Sequence, residues 1–199
     1  MNKIQLTVPS NLSDIPLEVY QKFLKIEEPT PDDMISTFCG VPRELLTRFT
    51  AKSVEEASMS IGTALEELNR DQPVVYKFTK DGVTYGLIPN MDEMSYGENK
   101  DISEYMSDWE TMHLAMGVLF RPIEKSKGDK YRIEDYNPIE HLQNMTDIPL
   151  NIAMGALVFF YSLTRDLLTA TLNYLEGVEH LKMTSQEKEL LENSGEVMR

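Results

Sequence analysis

Three histidines, His113, His141 and His180, are the side chains best suited to metal ligation or to proton transfer near neutral pH. A zinc-binding helix places two of them four residues apart on one face. Here the intervals are 28 and 39 residues, so each histidine falls on a separate expected element. Adjacent carboxylates occur at Glu27-Glu28, Asp32-Asp33, Glu55-Glu56 and Glu66-Glu67. General acid–base work needs two carboxyl groups in different environments facing one substrate, whereas neighbours along a helix point about 100° apart. These pairs therefore read as solvated helix faces and as partners of helix dipoles. Cys39, the sole cysteine, precedes Gly40 at an expected helix C-terminus, where the negative partial charge disfavours a thiolate. It reads as buried filler, and it excludes both an intrachain disulfide and a thiolate metal cage. The phosphate-loop pattern GxxxxGK[ST], the dinucleotide pattern GxGxxG and the nucleophile elbow GxSxG are absent. The expectation is a protein that is not an enzyme and needs no cofactor, with no catalytic, cofactor-binding or metal residue assigned. An enzyme would have to assemble its site from distant residues, and Tyr85, Asp108, Trp109, His113 and Arg121 are the group to inspect.

The remaining feature with chemical character is methionine. The chain has 12, with Met91, Met94, Met106, Met112 and Met116 concentrated in its middle. Methionine fills irregular core gaps and also lines pliable binding surfaces. On the second reading, Met91, Met94, Trp109, Met112 and Met116 are the candidate partner-binding residues. The formal charge of −14 is the strongest global property. It repels phosphate backbones and anionic membranes, so partners are expected to be other proteins, with neither nucleic acid nor membrane among them.

Positioning these residues falls to a succession of helices around a hairpin. The chain begins with an alternating segment, Ile4 to Val8, that suits a short strand. Pro16 then opens a helix capped by Ser13 or Asp14, with Leu17, Tyr20, Phe23 and Leu24 inward and Gln21 in water. Thr30, Pro31, Asp32 and Asp33 start a second helix that Gly40 stops. A short third helix begins near Pro42. Ser53 with Glu56 has capping-box spacing for a fourth, running to about Asn69. Residues 74–88 form the clearest hairpin, turning at Asp81-Gly82. Ser95 with Glu98 caps a short helix, and Asp108 caps another that carries Trp109, Met112 and Met116. Pro122 ends that helix or begins an edge strand. Ser126 to Asp129 is a polar turn with a strand returning over Lys130 to Glu134. Pro138 to Met145 reads as a brief helix.

The longest helix is expected from Asp147 to Glu176, apolar on nearly all sides of its first half and hence central or covered by a partner. Its segment Ile148 to Leu163 falls short of the ~20 residues needed to cross hydrocarbon and reads as a core helix. A charged helix opens at Thr184. The fold class expected is α+β, mainly α, with a small antiparallel β-hairpin or sheet: one helical domain over 1–182 with an inserted hairpin at 74–88, followed by a charged C-terminal helix or tail over 183–199. The first residues lack the apolar region of a signal peptide, and a reducing cytoplasm fits the lone cysteine.

One stretch carries a resemblance. The hairpin ends in Tyr85 and a proline-bearing link. Asp92, Met94, Ser95, Gly97 and Glu98 form a D-x-M-S-x-G-E phrase, Asp108-Trp109 opens a helix, and Arg121-Pro122 closes it. With the FCGVP segment at Phe38 to Pro42, this pattern resembles uncharacterised structural-module proteins of tailed bacteriophages, over residues 15 to 175. The resemblance implies a tail assembly chaperone or small virion-associated protein. Such a protein acts through protein–protein contacts, in the host-cell cytoplasm or the virion, with virion or tail-module components as partners. The alternative is an acidic regulatory or inhibitory protein whose carboxylates mimic phosphate.

Overall fold

The computed structural model describes residues 6–70, 72–141, 145–162, 165 and 169. Within them, helix ends fall where short polar side chains satisfy orphan backbone groups. Thr30 accepts from the Asp33 N–H while Asp33 accepts from the Thr30 N–H, a complete capping box at the head of α2 (Pro31–Cys39). Gly40, at φ 63°, ends α2 in the left-handed conformation. The same reciprocal pair, Ser95 with Glu98, opens α5 (Tyr96–Tyr105). Both ends match expectation because cap chemistry is local.

Where tertiary contacts compete, the ends move. α1 (Leu17–Leu24) has no side-chain cap. Its first donors go instead to a distant segment: the Leu17 N–H donates to the Ile148 carbonyl at 2.9 Å and the Glu18 N–H to that of Thr146 at 2.7 Å. The Leu150 N–H returns a bond to Ile15 at 2.8 Å, and Pro16 forms a bridge with Pro149. Ser13 and Asp14 lie in a 3-10 turn (Leu12–Asp14) capped by Asn11. A four-residue α3 (Arg43–Leu46) follows α2. α4 (Ala51–Glu66) starts three residues before the expected Ser53, because Thr50 is equally able to cap and accepts the Ser53 N–H at 3.2 Å.

The hairpin pairs β1 (Lys77–Lys80) with β2 (Val83–Leu87), and its turn residues Asp81 and Gly82 have φ of 50° and 79°. Both positive values belong to the two-residue turn whose twist matches that of the strands. Two further strands, β3 (Phe120–Lys127) and β4 (Lys130–Ile133), complete an antiparallel sheet in the order β1-β2-β3-β4. Among the described residues the fold is thus α+β, mainly α, with a small antiparallel sheet, as expected.

Pro122 lies inside β3, a central strand, and not at an edge. Its carbonyl accepts from the Glu134 N–H at 2.9 Å, so the side of Pro122 that lacks a donor faces β4 just past its last residue, Ile133. The missing N–H removes nothing from the β2–β3 ladder, where Pro122 stands opposite Tyr85.

α6 (Met112–Leu119) follows a 3-10 turn (Trp109–Thr111) that Asp108 caps by accepting the Glu110 N–H at 2.9 Å. It runs directly into β3 and is buried along most of its length. The core gathers Leu12, Leu17, Ile35, Ile61, Ile102, Met116 and Phe120, each at most 1% exposed. Pro138–His141 forms α7; residues 142–144 of the expected helix lie outside the described set, and Met145 is not helical.

The chain divides into two compact units, Met1–Val158 and Phe159–Arg199. In the first, residues 150–158 are helical, starting after Pro149 rather than at Asp147. In the second, residues 159–162 are helical. The expected continuation to Glu176, the helix at Thr184 and the tail over 183–199 lie outside the described residues. Residues 6–8 of the expected first strand are not in a strand, and Ile4 and Gln5 lie outside the described set. No helix among the described residues is long and apolar enough to cross a membrane.

Candidate functional site

The capping box of α5 does more than start a helix. Glu98 uses one carboxylate oxygen, Oε2, to accept the Ser95 N–H at 2.6 Å. Its other oxygen, Oε1, meets Nη2 of Arg121 at 2.6 Å. Arg121 is the second residue of β3, held there by pairing with Gly86 of β2. Glu98 is 6% and Arg121 5% exposed, so the ion pair is removed from water. The Arg121 guanidinium lies 5.7 Å from the ring centroid of Tyr136, within range for a cation–π contact. The Tyr136 hydroxyl in turn donates to Asp101 at 2.6 Å. Helix α5, strand β3 and the chain after β4 are thereby tied by one polar network.

Electrostatics follow from this geometry. Burial by itself would raise the Glu98 pKa, but the hydrogen bonds from Ser95 and the charge of Arg121 outweigh it and hold the carboxyl below its usual range. The Tyr136 phenol is pushed strongly upward, first by burial and then by its bond to the Asp101 carboxylate. Arg121 Nε is buried with no hydrogen-bond partner among the described residues, a costly state for a charged donor.

This network forms one wall of a cavity of about 460 Å³. Met94, Ile133 and Tyr136 supply its apolar surface. Glu93, Glu134 and Asp135 add three carboxylates to that of Glu98, against the single cation Arg121. Among the described residues no group of three or more His, Cys, Asp or Glu side chains is placed to hold a metal ion, so the carboxylates form an acidic lining and not a ligand cage. Next to this lining in sequence stand two of the most exposed large apolar side chains: Tyr96, 86% exposed, follows Ser95, and Ile139, 85% exposed, lies three residues after Tyr136.

The residues singled out from sequence fall in different places. Met94 lines the cavity and Met91 is half-buried in the 3-10 turn (Met91–Glu93) that precedes it. Met112 and Met116 are 2% and 0% exposed and fill the core. Trp109 is half-buried, with its ring edge-on to Tyr20 at 5.1 Å. Of the five residues to inspect for an assembled site, only Arg121 reaches the cavity. Tyr85 stacks on Phe78 at 5.4 Å. Asp108 caps the turn before α6. His113 Nδ1 lies 3.2 Å from the Gln21 amide, which also donates to the carbonyls of Trp109 at 2.6 Å and Glu110 at 3.1 Å. No side-chain hydrogen bond or ion pair among the described residues joins Tyr85, Asp108 or His113 to Arg121.

Gln21, expected in water, is thus 8% exposed and bolts α1 to the turn before α6. Burial lowers the His113 pKa, with the hydrogen bond to the Glu110 backbone acting weakly against it. Cys39 is half-buried, and burial is what raises its thiol. Sequence reasoning placed Ser95 and Glu98 in a cap and Arg121 beside a proline. Nothing in their spacing signalled that they meet; Asp101 read only as a possible helix start, although it lies inside α5, and Tyr136 carried no signal at all.

Comparison with protein-family models, with curated proteins and with solved structures finds no match for this chain.

Proposed function

We propose that this chain is a non-enzymatic assembly protein that acts by holding a basic segment of another polypeptide at the acidic cavity beside α5. The observation that carries the reading is the cavity itself. With Glu98 neutralised by Arg121, the lining still carries the carboxylates of Glu93, Glu134 and Asp135, the last of them also meeting Arg132 at 3.6 Å, and this acidic excess favours a cationic guest. Tyr96 and Ile139 supply exposed apolar surface of the kind that anchors interface centres. The tailed-phage role, as a tail assembly chaperone or small virion-associated protein, rests on the motif resemblance. Its expected partners are virion or tail-module components in the host-cell cytoplasm or the virion.

The reading is tested by placing a photo-crosslinking amino acid at position 96 of the full chain and expressing it with the proteins of a phage structural module. Crosslinks to a tail or virion protein, lost on adding excess lysine-rich peptide, are the expected result. Crosslinks only to host metabolic enzymes, or none, would count decisively against it.

A further inference from the structure

The chain's cations are not spread evenly over its acidic body. Residues 124–132 carry four basic and two acidic side chains, net +2, which leaves −16 for the remainder of a −14 chain. The register of the β3–β4 hairpin arranges them. Lys125 stands opposite Arg132 and Lys127 opposite Lys130. Cross-strand partners share a face, and so do residues two apart along a strand. All four cations therefore project from the same face of the hairpin, and all four are exposed. The opposite face carries Tyr131, whose hydroxyl donates to the Leu87 carbonyl at 2.7 Å and whose ring sits against Gly86, fixing the hairpin to β2.

Like charges directly opposite one another destabilise a strand pair. Arg132 is relieved by Glu124 at 3.4 Å and Asp135 at 3.6 Å. Lys125, Lys127 and Lys130 have no carboxylate within ion-pair distance among the described residues. The hairpin thus presents three lysines on one face without a local countercharge among the described residues.

We infer that the cationic face of the β3–β4 hairpin docks on the acid-lined cavity of a second copy of this chain, a head-to-tail self-association. The inference rests on the reading of that cavity as a polypeptide site and names its occupant. Charge complementarity selects the partner. Beyond the Glu98–Arg121 pair, the cavity lining carries Glu93 and the exposed Asp135, whose contact with Arg132 at 3.6 Å is solvent-screened and open to exchange, and its apolar wall suits lysine stems. The net repulsion between two acidic bodies is screened beyond ~8 Å at physiological salt, so the local contact decides the outcome. A nucleic acid is the less suitable occupant, because the −16 remainder repels a phosphate backbone over its whole length. Two different patches on one body make a heterologous contact, which propagates into a ring or an open filament. That geometry suits an assembly protein.

Sedimentation of the full chain as a function of concentration and salt tests the inference. Wild type should self-associate at low salt, about tenfold more weakly when the salt is raised severalfold. Lys125→Glu/Lys127→Glu/Lys130→Glu should be monomeric, and so should Glu93→Lys/Asp135→Lys. Mixed together, the two variants should associate again, since each retains the patch the other has inverted in sign. Circular dichroism confirms that each variant folds, and a misfolded set is replaced by Lys→Gln and Glu→Gln versions read in the same way. Wild type that stays monomeric, or a lysine variant that associates like wild type, overturns the inference. A labelled lysine-rich peptide, titrated in parallel, separates the two readings. Peptide binding without self-association defeats only the self-docking, whereas failure of both defeats the cavity reading as well. Salt-sensitive binding of a short DNA duplex to the hairpin by a monomeric wild type would show the partner class to be wrong.

Discussion

Replacing Glu98 with glutamine isolates the charge of the buried pair. Glutamine keeps the shape and one acceptor, so the Ser95 N–H retains a partner, but Arg121 is left charged, 5% exposed and opposite a neutral group. Removing one partner of a buried ion pair costs about 3–5 kcal/mol, because the other charge stays desolvated. With the cap preserved, the lower end, about 3 kcal/mol, is expected. A urea slope near 2 kcal/mol/M, usual for a domain of this size, turns that into a midpoint shift of about 1.5 M. Glu98→Gln/Arg121→Met should recover most of the loss, since it removes both charges and fills the site with a pliable apolar chain.

Acid provides an independent check on the same pair. The folded-state pKa of Glu98 lies below its unfolded value. Its contribution is therefore present above the unfolded pKa of about 4.3 and is lost as pH falls through the folded value. The gap between wild type and Glu98→Gln should accordingly close in strong acid. A midpoint shift corresponding to less than about 1 kcal/mol, flat with pH, would mark an ordinary solvent-screened bridge and refute the argument.

Further outcomes follow from the close contacts elsewhere. Gly155→Ala places a methyl carbon 2.4 Å from the Pro73 carbonyl oxygen and should cost about 1–3 kcal/mol, whereas Gly62→Ala, in the middle of α4 with open space around it, should gain about 0.5–1 kcal/mol; thermal melts of the two distinguish them. His113 has a folded pKa depressed by burial, so its contribution is present above the unfolded pKa of about 6.5 and is lost as pH falls; stability measured from pH 7.5 to 5 should decline in wild type and less in His113→Gln. Gln21→Ala leaves the Trp109 and Glu110 carbonyls short of a donor and should cost about 1–2 kcal/mol by urea unfolding, without altering peptide binding at the cavity.

The parts of this fold legible in sequence are those that local chemistry decides. Thr30 and Ser95 cap helices wherever the chain goes afterwards, and Asp81-Gly82 makes its turn from two positive φ angles that few other residue pairs accept. Non-local pairing hid the rest. That β3 would join β2 through a strand containing Pro122 depends on which side of the strand the missing Pro122 donor faces, and no spacing reports that. Gln21 reads as a surface residue because its polarity is visible and its three partners, some ninety positions away, are not. Glu98 was visible as a cap, and its second role appeared only when β3 carried Arg121 beside it. The candidate cavity is likewise a product of tertiary convergence, built from the start of α5, the start of β3 and the chain after β4.

The central claim is that the acid-lined cavity takes a cationic stretch of polypeptide. Fluorescence anisotropy with two labelled peptides of equal length, one lysine-rich and one glutamate-rich, addresses it directly in the full chain. The account predicts saturable binding of the lysine-rich peptide alone, weakened about tenfold by Glu93→Gln/Asp135→Asn, a loss of about 1.4 kcal/mol. Equal binding of both peptides, no binding of either, or affinity untouched by the two neutralising substitutions would contradict it.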